Sequence, residues 1–217
     1  MPSSRRQLIP VGTLVLFALF LLVMLATYLL VKPPTPPPEL AGVLRNEYRQ
    51  LQPFSLVDQH GQSFDQRNLR GKWSLLFFGY LSCPDVCPMT MHELDLFWRL
   101  LEDEAGAPPP DLQVVFVSVD PARDTPARMR DYIAHFNPAF RGATAAPTDL
   151  DRLTRQLGVG YRIEPETTPG NYLVAHSSAL FLVDPLGRPV ATFSQPHYAA
   201  TLQLQYGRVR AYFEGTG

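Results

Sequence analysis

Two cysteines, Cys83 and Cys87, stand four residues apart in Phe78-Gly79-Tyr80-Leu81-Ser82-Cys83-Pro84-Asp85-Val86-Cys87-Pro88, and the chain has no others. One pair excludes a disulfide-rich scaffold and a four-thiolate zinc site. Three chemistries remain open: a structural disulfide, a redox-active dithiol, and a soft-metal site. On a regular helix the two Cβ atoms would lie about 5–6 Å apart, against about 3.8 Å in a relaxed disulfide. A disulfide closing so short a loop also adds little stability. The spacing departs by one residue from the Cys-x-x-Cys of dithiol oxidoreductases. Two thiolates suit Cu(I), and an added imidazole extends the site to Cu(II). Pro88 suits the first position of a helix, which predicts Cys87 as the cap and Cys83 in the preceding turn. The Cys87 sulfur would then sit at the positive end of the helix dipole, where a thiolate is favoured.

A third donor has to come from five histidines. His60 falls in a hairpin turn, His92 is out of angular register with Cys87 on the same helix, and His135 ends a helix. His197 follows Pro196 and opens the expected C-terminal helix. His176 differs, because Tyr172-Leu173-Val174-Ala175-His176-Ser177-Ser178 leads straight into the strand Ala179 to Val183, from which an imidazole could reach over a sheet edge. Met89 and Met91 are soft thioethers nearby, and Met91 fits the core-facing stripe of its helix. Asp85 reads as a turn residue satisfying backbone amides. Asp120, Arg123 and Asp124 read as an ion-paired turn.

The elements that must position these groups follow from periodicity. Trp73 to Tyr80 is a continuous apolar run, as a buried central strand should be. Met91, Leu94, Phe97, Trp98 and Leu101 recur at helical spacing, and Ala107-Pro108-Pro109-Pro110 should end that helix. Val114 to Val119 is a second buried strand, which predicts a right-handed parallel crossover. Thr125-Pro126 opens a helix with Met129, Tyr132, Ile133 and Phe136 inward. Leu150, Leu153 and Leu157 mark another, closed by Gly158. Gln59-His60-Gly61-Gln62 and Asp184-Pro185-Leu186-Gly187 are hairpin turns, the second between Ala179–Val183 and Val190–Phe193. Residues 197–213 are expected to be helical. The class is α/β: one mixed sheet with helices on its faces.

Ahead of this domain, residues 1–10 form a leader, 11–31 an uncharged apolar run of membrane-spanning length, and 32–50 a Pro-rich linker and lead-in; the domain occupies 51–217. Five prolines among residues 33–38 favour an extended polyproline stalk. Arg5 and Arg6 before the span and Lys32 after it place the N-terminus in the cytoplasm and the domain across the membrane. This layout predicts a single-pass bacterial inner-membrane protein facing the periplasm. With 19 basic and 20 acidic residues the net charge is −1, which offers no basic surface for nucleic acid.

Four stretches together resemble the Sco/SenC family of membrane-anchored copper chaperones: Phe78 to Pro88, Ser118-Val119-Asp120-Pro121-Ala122-Arg123-Asp124-Thr125-Pro126, Val174-Ala175-His176-Ser177, and Phe181-Leu182-Val183-Asp184-Pro185-Leu186-Gly187. The resemblance spans roughly residues 53–213. It implies a thioredoxin-like sheet behind one transmembrane helix, and one copper per chain, Cu(I) or Cu(II), held by Cys83, Cys87 and His176. It also implies delivery to the apo copper-site subunit of a respiratory haem–copper oxidase, subunit II of cytochrome c oxidase, alongside other copper or thiol carriers. On that reading the chain is a metallochaperone rather than an enzyme; the rival is a thiol–disulfide oxidoreductase using Cys83 and Cys87 to reduce the acceptor's cysteines. The chain departs from the family at Leu81-Ser82, where Thr-His is frequent, and at Ala175, where an Asp often precedes the ligand histidine.

Overall fold

The computed structural model describes residues 11–30 and 36–215. The expected leader, Val31 at the end of the apolar run, and Lys32 to Thr35 of the proline stretch lie outside the described residues. Two compact units divide near Pro36. The first contains α1 (Val11–Leu30), an uncharged helix of 20 residues. Its side chains are described over 12–27, and Leu14, Leu16, Phe17, Phe20 and Leu22 all point outward, each more than half exposed. Among the described residues no helix is long and apolar enough to cross a membrane.

The second unit is built on a seven-stranded mixed sheet. Its strands are β1 (Ser55–Asp58), β2 (Ser63–Asp65), β3 (Trp73–Gly79), β4 (Leu112–Ser118), β5 (Arg141–Thr144), β8 (Leu180–Val183) and β9 (Pro189–Phe193), in the order β2-β1-β5-β4-β3-β8-β9. A separate two-stranded ribbon joins β6 (Tyr161–Ile163) to β7 (Val174–His176). The parallel core of β3, β4 and β5 carries the fold; β1 and β8 run antiparallel on its flanks. Every residue of β3 and β4 is buried, which their unbroken apolar runs require.

The crossover from β3 to β4 is α2 (Val86–Ala105), whose Met91, Leu94 and Phe97 are fully buried. It ends at Gly106 with φ 76°, so the glycine in the left-handed region stops it before the prolines are reached. α3 (Pro126–Phe136) starts as its sequence demands, with the Thr125 hydroxyl accepting from the Arg128 N–H. α4 (Pro147–Leu157) closes at Gly158. α5 (Ala199–Gly215) packs on α2 and begins two residues after His197, which therefore precedes the helix rather than opening it. Residues between 38 and 50 run back along the sheet edge: Leu40 is buried, and the Arg45 N–H donates to the Val190 carbonyl at 2.9 Å.

The parallel register aligns Gly79 at the end of β3 with Ser118 at the end of β4. Both strands thus release their chains at one rim, where open α/β sheets place their sites.

Candidate metal centre

Beyond Gly79 the chain turns through Tyr80–Pro84 into α2. The helix cap is Asp85, not Cys87, and the Asp85 side chain makes no capping hydrogen bond. Cys87 therefore occupies the second helical position, and its N–H donates to the Cys83 sulfur at 3.4 Å. That sulfur does the work of a cap side chain, accepting one of the free amides of the first turn. The dipole argument holds, but it selects the other cysteine. Both thiols are free, Cys83 half-buried and Cys87 fully buried.

The two thiols share a proton, and the sharing is asymmetric. A hydrogen bond from the Cys87 thiol lowers the pKa of Cys83 to about 5, against the opposing effect of burial and with help from the Asp85 and Cys87 amides. The same interaction, with burial, pushes Cys87 up. A depressed pKa means that Cys83 is almost wholly thiolate at pH 7. In the reduced apoprotein, iodoacetamide should alkylate Cys83 at a rate that is already on its plateau at pH 7 and halves near pH 5; an ordinary thiol halves near 8.5. Peptide mapping of the alkylated protein checks this, and Cys87 should remain unlabelled.

His176 does not run into the β8 strand. It ends β7, on the ribbon, opposite Tyr161. The ribbon is pinned at its base, where the Ser177 N–H donates to the Gly160 carbonyl at 2.8 Å and the Tyr161 hydroxyl donates to Asp151 of α4 at 2.7 Å. His176 Nδ1 lies 3.0 Å from the Ser177 carbonyl, which can only accept, so the ring proton sits on Nδ1 and Nε2 presents its lone pair. Nε2 lies 3.4 Å from the Cys87 sulfur. The edges of Tyr80 and Phe77 hold the ring in place, with centroids 5.8 and 6.3 Å away. The Ser177 carbonyl thus supplies the orienting partner that a carboxylate at position 175 would otherwise provide; Ala175 is exposed.

The Cys83 and Cys87 sulfurs and one His176 nitrogen lie within 4.8 Å of one another. Among the described residues no other group of His, Cys, Asp and Glu side chains includes this pair. His60, His92 and His135 are exposed and apart, and His197 is tied to the Ser178 carbonyl. Asp85 is exposed, Met91 belongs to the core, and Met89 is in solvent. Two thiols and one imidazole form a soft donor set with a vacant side, since Tyr80, Cys83, Val86, Leu173 and His176 line an open groove.

The turn after β4 holds both halves of this centre. Asp124, fully buried, accepts from the Leu81 N–H at 2.9 Å and from the Ser118 hydroxyl at 2.6 Å, fixing the start of the cysteine loop. Leu81 contributes its amide and some packing, which explains why the departure there costs the site no ligand. Arg123 pairs with buried Asp120, donates to the Tyr172 carbonyl at 2.9 Å and lies 3.5 Å over the Tyr172 ring. The Tyr172 hydroxyl returns a bond to Asp120 at 2.8 Å. The charged turn is structural, as its sequence suggests, and it latches the arm that carries His176. No spacing or periodicity along the chain singles out Tyr172 for this role. Tyr172→Phe leaves a buried carboxylate oxygen short of a donor, and should cost about 1–3 kcal/mol in urea denaturation. It should also weaken metal binding about 10–100-fold, as loss of an outer support does; unchanged values for both would show that the latch does not hold the arm.

Comparison with known proteins agrees with this geometry. The SCO1/SenC family model matches residues 43–208. A SCO2-like protein of Rickettsia prowazekii is 34% identical over 172 residues, covering 77% of this chain and 82% of the relative. A relative from Stutzerimonas stutzeri is 38% identical over 139 residues, or 64% of this chain and 66% of its own length. The mitochondrial protein SCO1 of Saccharomyces cerevisiae is 36% identical over 137 residues, and the match spans 45% of its length. Among solved structures, Arabidopsis thaliana ScoI with copper bound superposes with a TM-score of 0.67 at 31% identity, covering 76% of this chain and 99% of that one. Yeast Sco1 with copper bound gives 0.65 at 33% identity, covering 76% and 87%. Sheet order, cysteine loop and histidine arm, read together with a match over most of the domain, place this chain in the SCO1/SenC family.

Proposed function

We propose that this chain is a copper metallochaperone that holds one copper ion through Cys83 Sγ, Cys87 Sγ and His176 Nε2 and passes it to the apo copper site of a respiratory oxidase subunit. The observation that carries the reading is the convergence of three soft or borderline donors within 4.8 Å, on elements far apart in sequence. Copper is cargo here, so the site must both capture and release. Capture is aided by Cys83, which is deprotonated before the metal arrives and pays no proton-release cost at neutral pH. Release is aided by the open groove, through which acceptor ligands can enter one at a time while the protein ligands leave. The copper-bound Arabidopsis and yeast relatives support the choice of metal.

The domain over 51–217 carries the site, and the uncharged apolar run 11–31 is read from its sequence as an anchor in the bacterial inner membrane, with the domain in the periplasm. As a sequence, that run of uncharged residues would extend about 31 Å if fully helical, close to the thickness of a hydrocarbon core. The outward-facing Leu and Phe side chains of α1 support this, as do Arg5, Arg6 and Lys32 at its flanks. Tethering raises the effective concentration of the carrier at a membrane-bound client.

The test is copper stoichiometry on the full reduced chain in detergent, with Cu(I) and Cu(II) separately, beside His176→Ala. One copper per chain is expected in each state. His176→Ala should abolish the Cu(II)–thiolate absorption while leaving Cu(I) bound by two sulfurs, weakened about tenfold or more. Absence of bound copper alongside a readily cycled disulfide would overturn the reading in favour of the second one: a dithiol reductase in which Cys83 attacks a client disulfide and Cys87 resolves the mixed disulfide. The half-buried thiolate beside a buried thiol favours that alternative specifically. It requires a reducing dithiol potential and a separate electron donor of the thiol class.

A further inference from the structure

A second cleft opens between the first turns of α2 and the segment leading into α5, lined by Met89, Glu93, Gln195, His197 and Tyr198. Three potential donors line its wall. Met89 is 57% exposed, although Met91, two residues on, is fully buried. His197 is 8% exposed, and its Nε2 lies 2.7 Å from the Ser178 carbonyl. A carbonyl only accepts, so the ring proton is on Nε2 and Nδ1 carries a lone pair. That Nδ1 has no hydrogen-bond partner among the described residues. Burial also lowers the pKa of His197, which keeps the ring in its neutral, ligating form. Glu93 stands four residues after Met89 on the same face of α2. One of its oxygens accepts from the Ala199 N–H at 2.7 Å, which pins the carboxylate and leaves the other oxygen without a partner among the described residues.

A buried imidazole whose far nitrogen is fixed by a backbone carbonyl is the arrangement found behind metal-bound histidines. In the same cleft wall stand a thioether, which with the imidazole suits monovalent copper, and a carboxylate, a hard donor that adds negative charge; sulfur and nitrogen make the set too soft for Mg²⁺ or Ca²⁺. We propose that Met89 Sδ, His197 Nδ1 and Glu93 Oε1 form a second, weaker Cu(I) site next to the thiolate centre. With no thiolate among its ligands it binds less tightly than the first, as a site that ions pass through must. The two sites share their supports. Met89 follows Cys87 by two residues, and Ser178, which holds His197, follows His176 by two.

The test uses the full chain in detergent carrying Cys83→Ser and Cys87→Ser, so that failure of the thiolate site has no bearing on it. Ag(I) serves as the redox-silent probe, followed by the methionine methyl carbons and histidine ring nitrogens in NMR. One Ag(I) per chain is expected, with the Met89 methyl and His197 Nδ1 signals shifting together. Met89→Leu, an exposed change of similar volume, should weaken binding at least tenfold, and Glu93→Gln by less. No retained Ag(I), shifts at other methionines with Met89 unmoved, or unchanged affinity in Met89→Leu would each overturn the site.

Discussion

Cys83→Ser and Cys87→Ser should each abolish tight copper binding, with more than a hundredfold loss of Cu(I) affinity. Loss of an outer support costs about 10–100-fold, and removal of a ligand exceeds that. A serine hydroxyl is a hard donor that stays protonated at neutral pH, so neither variant can rebuild the site from oxygen. The two losses differ in kind. Cys83→Ser removes the thiolate already formed at pH 7, together with the sulfur that accepts the Cys87 N–H at the start of α2. Cys87→Ser keeps an O–H that can still donate to the Cys83 sulfur, so the Cys83 pKa should stay low, whereas Cys87→Ala removes the donor and should raise it from about 5 toward the ordinary thiol range. Copper per chain after desalting against a Cu(I) chelator measures the first effect, and the pH profile of iodoacetamide alkylation measures the second. Far-UV circular dichroism should be unchanged, because serine nearly matches cysteine in size and both sulfurs lie at the rim of the sheet, although Cys87 is packed in the core there. One copper per chain in either variant at unmodified affinity would falsify the three-ligand site.

How much of this was legible beforehand depended on where each element draws its stability. The central strands β3 and β4 and the helix between them were plain, because continuous apolar runs and helical stripes are written into the chain itself. β5 was not: Arg141-Gly142-Ala143-Thr144 has no hydrophobic pattern, and it is a strand only because β1 and β4 supply hydrogen bonds on both sides. Its Gly142 is needed for the close approach of α3, since a Cβ there would lie 2.5 Å from the Met129 side chain. The β6–β7 ribbon is three residues on each side and exists through its pairing and its pins, so His176 could be assigned to the site by family resemblance but not placed by periodicity. The cysteines were misassigned for a related reason. Proline fits any position of the first helical turn, where no N–H has an internal partner, so Pro88 could not distinguish a helix starting at Pro88 from the observed start at Val86. That shift moved the stabilised thiolate from Cys87 to Cys83.

Gly79 shows the opposite situation, a residue in plain view whose role only packing reveals. It ends β3, and a Cβ built on it would lie 2.7 Å from the Cys87 sulfur and 3.0 Å from the Phe116 ring. Phe116 is locked in the core against Phe77, with ring centroids 5.9 Å apart, so it cannot retreat freely. The sulfur must therefore yield, and with it the first turn of α2. Gly79→Ala should destabilise the protein by about 1–3 kcal/mol, a typical cost of overpacking. Thermal unfolding should then fall by about 2–4 °C for each kcal/mol in a domain of this size. Copper affinity should fall as well, because the displaced atom is one of the three proposed copper ligands. A double-mutant cycle separates steric conflict with the sulfur from a general loss of strand stability. In a Cys87→Ala background the sulfur is gone, and Gly79→Ala should cost at least 1 kcal/mol less than in the unmodified chain. Additive costs would mean that the conflict lies with Phe116 alone. Coupling between these two positions would show that a glycine at the end of β3 is what allows a buried thiol to rest against the strand and still face the metal.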